Sequence, residues 1–156
     1  MKIERNNIAM LAASAALIAT IAGFEGFRSK AYIPVPGDVE TIGYGTTAGV
    51  KMGDTVTKAE ALVLLRKDVA GFEGAIKRCV KVPLYQYEYD AYTSLAYNIG
   101  ARAFCGSTLV RKLNAGDYTG ACAQILRWDR FKGKPLRGLT NRRLIEYRMC
   151  IGVKNV

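Results

Sequence analysis

The stretch Glu25–Thr47 reads Glu-Gly-Phe-Arg-Ser-Lys-Ala-Tyr-Ile-Pro-Val-Pro-Gly-Asp-Val-Glu-Thr-Ile-Gly-Tyr-Gly-Thr-Thr. It opens with a glutamate that closes an unbroken apolar segment, passes through a short charged linker, and continues as two β-prone runs around Pro36-Gly37. Val39 to Tyr44 has the β-branched and aromatic content of a strand, and Pro-Gly is a turn signal. The pattern predicts a carboxylate at a helix end, facing a hairpin that carries Asp38, Glu40 and Thr41. Two carboxyl groups across a cleft, one protonated and one able to hold a water, are the minimum for breaking a glycosidic bond.

Glu25-Gly26, Ala31-Tyr32 and Thr41-Ile42-Gly43-Tyr44-Gly45 are followed downstream by Ala96-Tyr97-Asn98-Ile99-Gly100, Ser107-Thr108-Leu109 and Gly138-Leu139-Thr140-Asn141-Arg142-Arg143. In this order the motifs resemble the phage-type lysozymes, the endolysins with which tailed phages open bacterial cells. The resemblance covers nearly the whole chain after residue 23. It implies an α+β, lysozyme-like fold: a small β-hairpin lobe and a larger all-helical lobe joined by a long helix. It also implies hydrolysis of the β-1,4 bond between N-acetylmuramic acid and N-acetylglucosamine in peptidoglycan, by a monomeric enzyme that needs no cofactor.

In that family an aspartate usually follows Ala-Tyr by two residues, with a threonine six later. Here Pro34 takes the aspartate position, and Thr41 lies one residue further from Glu25 than usual. Glu25 is the expected acid, since partial desolvation at the end of an apolar helix favours the protonated carboxyl. Asp38 and Glu40 are the candidates for the second carboxylate. Strand alternation would place Val39 and Thr41 on one face and Glu40 on the other, and Asp38, in the preceding turn, is freer to move. That favours Asp38. A water held by Thr41 and a backbone carbonyl, without a second carboxylate, is the other arrangement. Arg142 matches an arginine that in the family reaches from the last helix toward the catalytic glutamate; a plain surface arginine is the alternative.

The chain has 156 residues, enough for one domain with a real core, and a formal charge of +10 with no histidine. Without histidine, serine–histidine and cysteine–histidine hydrolases and His-based metal sites are excluded. A basic surface suits a polyanion, but Lys and Arg are spread from residue 28 to residue 154 without a long block, which argues against a nucleic-acid arm. Cys79, Cys105, Cys122 and Cys150 form no Cys-x-x-Cys pair, so a structural zinc is not expected. They are either buried thiols or disulfides. If disulfides, the placement of the expected helices favours Cys79–Cys105 and Cys122–Cys150.

Residues 1 to 7 are polar, with Lys2 and Arg5, and Ile8 to Phe24 then runs without a charge. A surface helix should show a polar stripe and this run has none, while its length falls just under the roughly 20 residues of a membrane span. It reads as a buried core helix, a cleaved signal peptide or a weak anchor. The anchor reading resembles the signal-anchor-release subgroup of endolysins. Residues 1–24 would then hold the inner membrane before becoming the first helix of a released enzyme, with the catalytic domain, residues 25–156, facing the periplasm. A lytic transglycosylase, or a non-enzymatic cell-wall-binding module on a membrane anchor, remains as the alternative function.

Downstream, Thr57-Lys58-Ala59-Glu60 reads as a capping box opening a helix to about Arg78, with Leu62, Leu65, Val69, Phe72 and Ile76 on its buried face. Further helices are predicted near 86–98, after Ser107, over 117–127 and over 139–150. Ala48 to Val56 is either loop or a third short strand. The tyrosines between Tyr85 and Tyr97 suit core packing better than a sugar-stacking platform.

Overall fold

The computed structural model describes residues 3–153. Seven α-helices and two small antiparallel hairpins make an α+β arrangement among these residues. The chain forms two compact units. One comprises Ala15–Gly71; the other combines the N-terminal residues through Ser14 with the chain from Phe72 onward.

In the smaller unit, α1 (Ala15–Glu25) leads into a hairpin of β1 (Arg28–Tyr32) and β2 (Thr41–Gly43). The charge-free run is therefore not one helix. Ile8–Met10 form a 3-10 turn capped by the Asn7 side chain, Leu11 is extended, and the α-helix begins only at Ala15. Side-chain size does the sorting that polarity does not: Leu17, Ile18, Ile21 and Ala22 are buried, whereas Ala15, Ala16, Ala19 and Gly23 are exposed. Exposed alanine and glycine add little apolar area, so such a helix needs no polar stripe. No helix of the described residues is long and apolar enough to cross a membrane.

The 48–56 segment is loop, with a single bridge between Lys30 and Thr55. The capping box follows: Thr57 N–H donates to Glu60 Oε2 at 2.8 Å, and Glu60 N–H to Thr57 Oγ1 at 3.2 Å. It opens α2 (Lys58–Cys79), which starts in the smaller unit and ends in the larger. Leu65, Val69 and Ile76 are buried as the periodicity requires, and Leu62 and Phe72 are half-buried.

The larger unit is built on α3 (Gln86–Ile99), whose residues Glu88–Ala96 are all buried. Tyr89 and Tyr92 belong to its core, so they are packing residues. Gly100 ends α3 at φ 95°, and α4 (Ala101–Cys105) follows at once, a short helix that the sequence did not announce. Ser107 caps α5 (Thr108–Asn114) and Asp117 caps α6 (Tyr118–Gln124), which a 3-10 turn extends to Arg127. A second hairpin, β3 (Arg130–Phe131) and β4 (Lys134–Pro135), precedes α7 (Arg137–Cys150). Both disulfides tie these helices together: Cys79–Cys105 with Cα atoms 5.6 Å apart, and Cys122–Cys150 at 5.7 Å. This is the expected pairing.

The N-terminal strap is fastened to the larger unit. Arg5 donates to both carboxylate oxygens of Glu88 and stacks on Tyr118 and Tyr85, its guanidinium 3.6 Å and 4.4 Å from the ring centroids. Asn6 and Leu84 exchange backbone hydrogen bonds, and Ala13 N–H donates to Glu73 Oε1 at 2.6 Å.

Candidate active site

Glu25 is the last residue of α1. Gly26 N–H donates to the Ala22 carbonyl, and Gly26 takes φ 72°, the left-handed turn that ends a helix without a Cβ clash. Two residues later β1 begins. The helix end and the hairpin are thus coupled by the shortest of reversals, which holds Glu25 at the Arg28–Gly43 end of the ladder. Glu25 is exposed. The partial burial expected of it is not found.

Arg28 pairs with Gly43 and Tyr32 with Thr41, so β1 carries extra residues between the two pairings and bulges. Ser29 and Ala31 instead bond across to Val56 and Asp54. Thr41 is 6 % exposed and donates its hydroxyl to the Val39 carbonyl at 3.1 Å. A threonine hydroxyl spent as a donor keeps its lone pairs as acceptors, which is what holding a water requires.

Val39 is 56 % exposed, so it does not share the environment of Thr41. The alternation argument fails because β2 begins only at Thr41; residues 38–40 are connection, and strand periodicity does not apply to them. Glu40 is half-buried. Asp38 is exposed in a turn, its N–H donating to the Val35 carbonyl and its Oδ1 accepting from Val39 N–H, each at 3.0 Å. Glu25, Asp38 and Thr41 all lie in the smaller unit, on a helix end, a turn and a strand start.

The glycines of Thr41-Ile42-Gly43-Tyr44-Gly45 have local causes. Gly43 and Gly45 sit at φ 65° and 97°, and a Cβ on Gly43 would come 2.9 Å from the Ala61 Cβ of α2. Ile42 and Thr46 exchange backbone hydrogen bonds across the turn, and the Thr46 hydroxyl donates to Asp68 Oδ2 at 2.6 Å. The turn is thereby tied to α2. Sequence reasoning missed the Thr46–Asp68 pair, and no local signal could have found partners this far apart in the chain.

Arg142 is buried, not a surface arginine. Within the larger unit its Nε donates to Glu146 Oε1 at 3.2 Å and its terminal nitrogen to the Ser94 carbonyl at 3.4 Å. Glu146 also accepts from the Ser94 hydroxyl at 2.7 Å and from Arg143 at 3.1 Å. Arg143 Nε approaches Oε2 at 2.7 Å in an ionic contact that is not aligned as a hydrogen bond. Burial pushes the Glu146 carboxyl up and the Arg143 guanidinium down from their ordinary values. The arginine pair of the 138–143 motif therefore serves a buried ionic cluster whose acid, Glu146, the sequence reading did not single out.

Residues 22–146 match the family model described as Phage lysozyme. The chain belongs to that family. Among curated relatives, it is 46% identical to an endolysin of Acyrthosiphon pisum secondary endosymbiont phage 1 over 127 residues, 79% of this chain and 86% of the relative. It is 40% identical to the SAR-endolysin of Enterobacteria phage P21 over 144 residues, 90% of this chain and 87% of that one. Among solved structures, a P22 lysozyme mutant superposes with a TM-score of 0.84 at 36% identity, covering 92% of this chain and 100% of that one. The fold of this phage lysozyme family member is accordingly lysozyme-like.

Proposed function

We propose that the protein is an endolysin that lyses its host by hydrolysing the β-1,4 bond between N-acetylmuramic acid and N-acetylglucosamine. Glu25 protonates the leaving oxygen. Asp38 and Thr41 hold the attacking water, Thr41 accepting from it through the lone pairs that its bond to Val39 leaves available. What supports the reading is the turn from α1 through Gly26 into the hairpin, which leaves the exposed Glu25 three residues before Arg28, the residue paired with Gly43 of β2. Family membership and the names of the relatives support it.

Mass spectrometry of digested peptidoglycan tests this function. Products ending in a reducing sugar support hydrolysis; anhydro-sugar products assign a transglycosylase; absence of products leaves a binding module.

Ile8 to Phe24 begins, in this proposal, as a membrane anchor, with Arg5 on the cytoplasmic side and the remainder facing the periplasm. Lys2, its expected companion, lies outside the described residues. The relatives named SAR-endolysin and the two disulfides, which persist in oxidising compartments, support this course. The folded structure is then the released state: the straight anchor has broken at Leu11–Ser14 into a strap and a shorter helix.

A further inference from the structure

The β3–β4 hairpin concentrates charge that is dispersed along the chain elsewhere. Arg127, Arg130, Lys132, Lys134 and Arg137 are all exposed. The acids of this region do not offset them. Asp129 is half-buried and accepts from the Thr140 hydroxyl at 3.0 Å, and Glu146 is buried against the two arginines of α7. The base of the hairpin is held firmly, since Leu136 N–H donates to the Asp129 carbonyl at 2.9 Å and Arg143 donates to the Trp128 carbonyl at 3.3 Å.

Its tip is strained. Lys132 and Gly133 form the two-residue loop at φ 51° and 79°, and Lys132 is the one non-glycine residue at positive φ among those described. Such loops take asparagine or glycine at the first position with less strain than lysine. A lysine held there puts an ammonium at the apex, with its Nζ 5.5 Å from the Phe131 ring centroid. Phe131 pairs with Lys134, so these two share a face, and Leu136, extended just beyond β4, is tied to the base of the hairpin through its N–H to the Asp129 carbonyl. Phe131 is 57 % and Leu136 44 % exposed.

We propose that this hairpin docks the folded protein on an anionic phospholipid surface, its cations meeting lipid phosphates and Phe131 and Leu136 entering the headgroup–acyl boundary. Cations ringing exposed apolar tips are the chemistry of an interfacial contact. A purely carboxylate partner would use the cations but not both apolar side chains. The inference does not depend on the reading of Ile8–Phe24 as an anchor, and it stands or falls separately from the catalytic assignment.

The test uses the full chain in its folded, soluble form, co-sedimented with phosphatidylcholine vesicles containing phosphatidylglycerol and with pure phosphatidylcholine vesicles, at low and high salt. Wild type is expected to prefer the anionic vesicles in a salt-sensitive manner. Lys132→Asn should lose about fivefold and Lys132→Asn/Lys134→Asn about twenty-five-fold, following the ~1 kcal/mol that each basic residue is worth near such a surface. Phe131→Ser should lower the binding that survives high salt. Lys132→Asn should melt no lower than wild type, because it relieves the loop, so weaker docking in an equally stable protein separates a docking role from a structural one. Equal binding by wild type and all three variants would assign any membrane affinity to residues 8–24 and overturn the proposal. Absence of anionic preference in wild type overturns it too. So does loss of binding by the variants to isolated sacculi alone, which would make the wall polymer the partner.

Discussion

Ser14 and Asp90 are joined twice: the Ser14 hydroxyl donates to Asp90 Oδ2 at 2.6 Å and its backbone N–H to Oδ1 at 3.2 Å. Gln86 completes the junction, donating to Asp90 Oδ1 at 2.9 Å and to the Ala12 carbonyl at 2.8 Å. These contacts fix the strap one residue before α1 begins. Burial raises the Asp90 carboxyl above its ordinary value, against the lowering effect of the Ser14 and Gln86 hydrogen bonds, and the neighbouring Glu73 adds to the rise.

An acid raised on folding contributes stability that is fully present below its unfolded value of about 3.9 and is lost as pH climbs through its folded value. Asp90→Asn keeps the shape without the charge. The stability of wild type relative to Asp90→Asn should therefore fall as pH rises from the acid side and level off above the folded pKa. Asp90→Ala, which removes the acceptor of the Ser14 hydroxyl and N–H, should cost about 1–3 kcal/mol. Thermal melts across pH check both, and a wild type–Asp90→Asn gap independent of pH would contradict the first.

Glu25→Gln removes the proposed proton donor and leaves the Gly26 reversal in place. Turnover on purified peptidoglycan should fall below a tenth of wild type, with an unchanged circular dichroism spectrum. A variant that keeps more activity than this would sink the assignment.

Asp38→Asn should lower turnover about a hundredfold, in the range of general-base contributions, and Glu40→Gln should change it little. Thr41→Val, which retains the shape and deletes the hydroxyl, tests the water acceptor and should also reduce turnover. If Asp38→Asn and Glu40→Gln are both near wild type while Thr41→Val is inactive, the water is held without a second carboxylate.

Replacing Cys122 and Cys150 by serine should lower unfolding free energy by about 2–4 kcal/mol, as should replacing Cys79 and Cys105. Denaturant titration of each double variant reads the loss, and non-reducing peptide mapping of wild type should return the two pairs of the structure.

Ala16 and Ala19 are exposed in the folded state, so leucine is accommodated at both without disturbing the core. The same two changes favour bilayer insertion by on the order of 1 kcal/mol in total. Ala16→Leu/Ala19→Leu should stay in the membrane fraction and delay lysis. Recovery of the variant as soluble protein, or as a chain cleaved near Ala22, would remove the anchor from the mechanism.

Local sequence determined the elements whose causes are local. The Thr57–Glu60 box, the cap at Ser107 and the 3.6-residue period of α2 each act within a turn or two of chain, and each appears where it was expected. The cysteine pairing was legible from the expected helices, with Cys79 at the end of the long one, Cys105 just before the helix after Ser107, and Cys122 and Cys150 on the last two. The break in Ile8–Phe24 was not legible. Glu73, Gln86 and Asp90, far along the chain, take the backbone of Ala12–Ser14 out of its helix, and no periodicity encodes such partners. The exposure of Glu25, the burial of Arg142 against Glu146 and the separation of Val39 from Thr41 belong to the same class. Burial and partner choice are properties of packing between distant segments, and tertiary structure alone decides them.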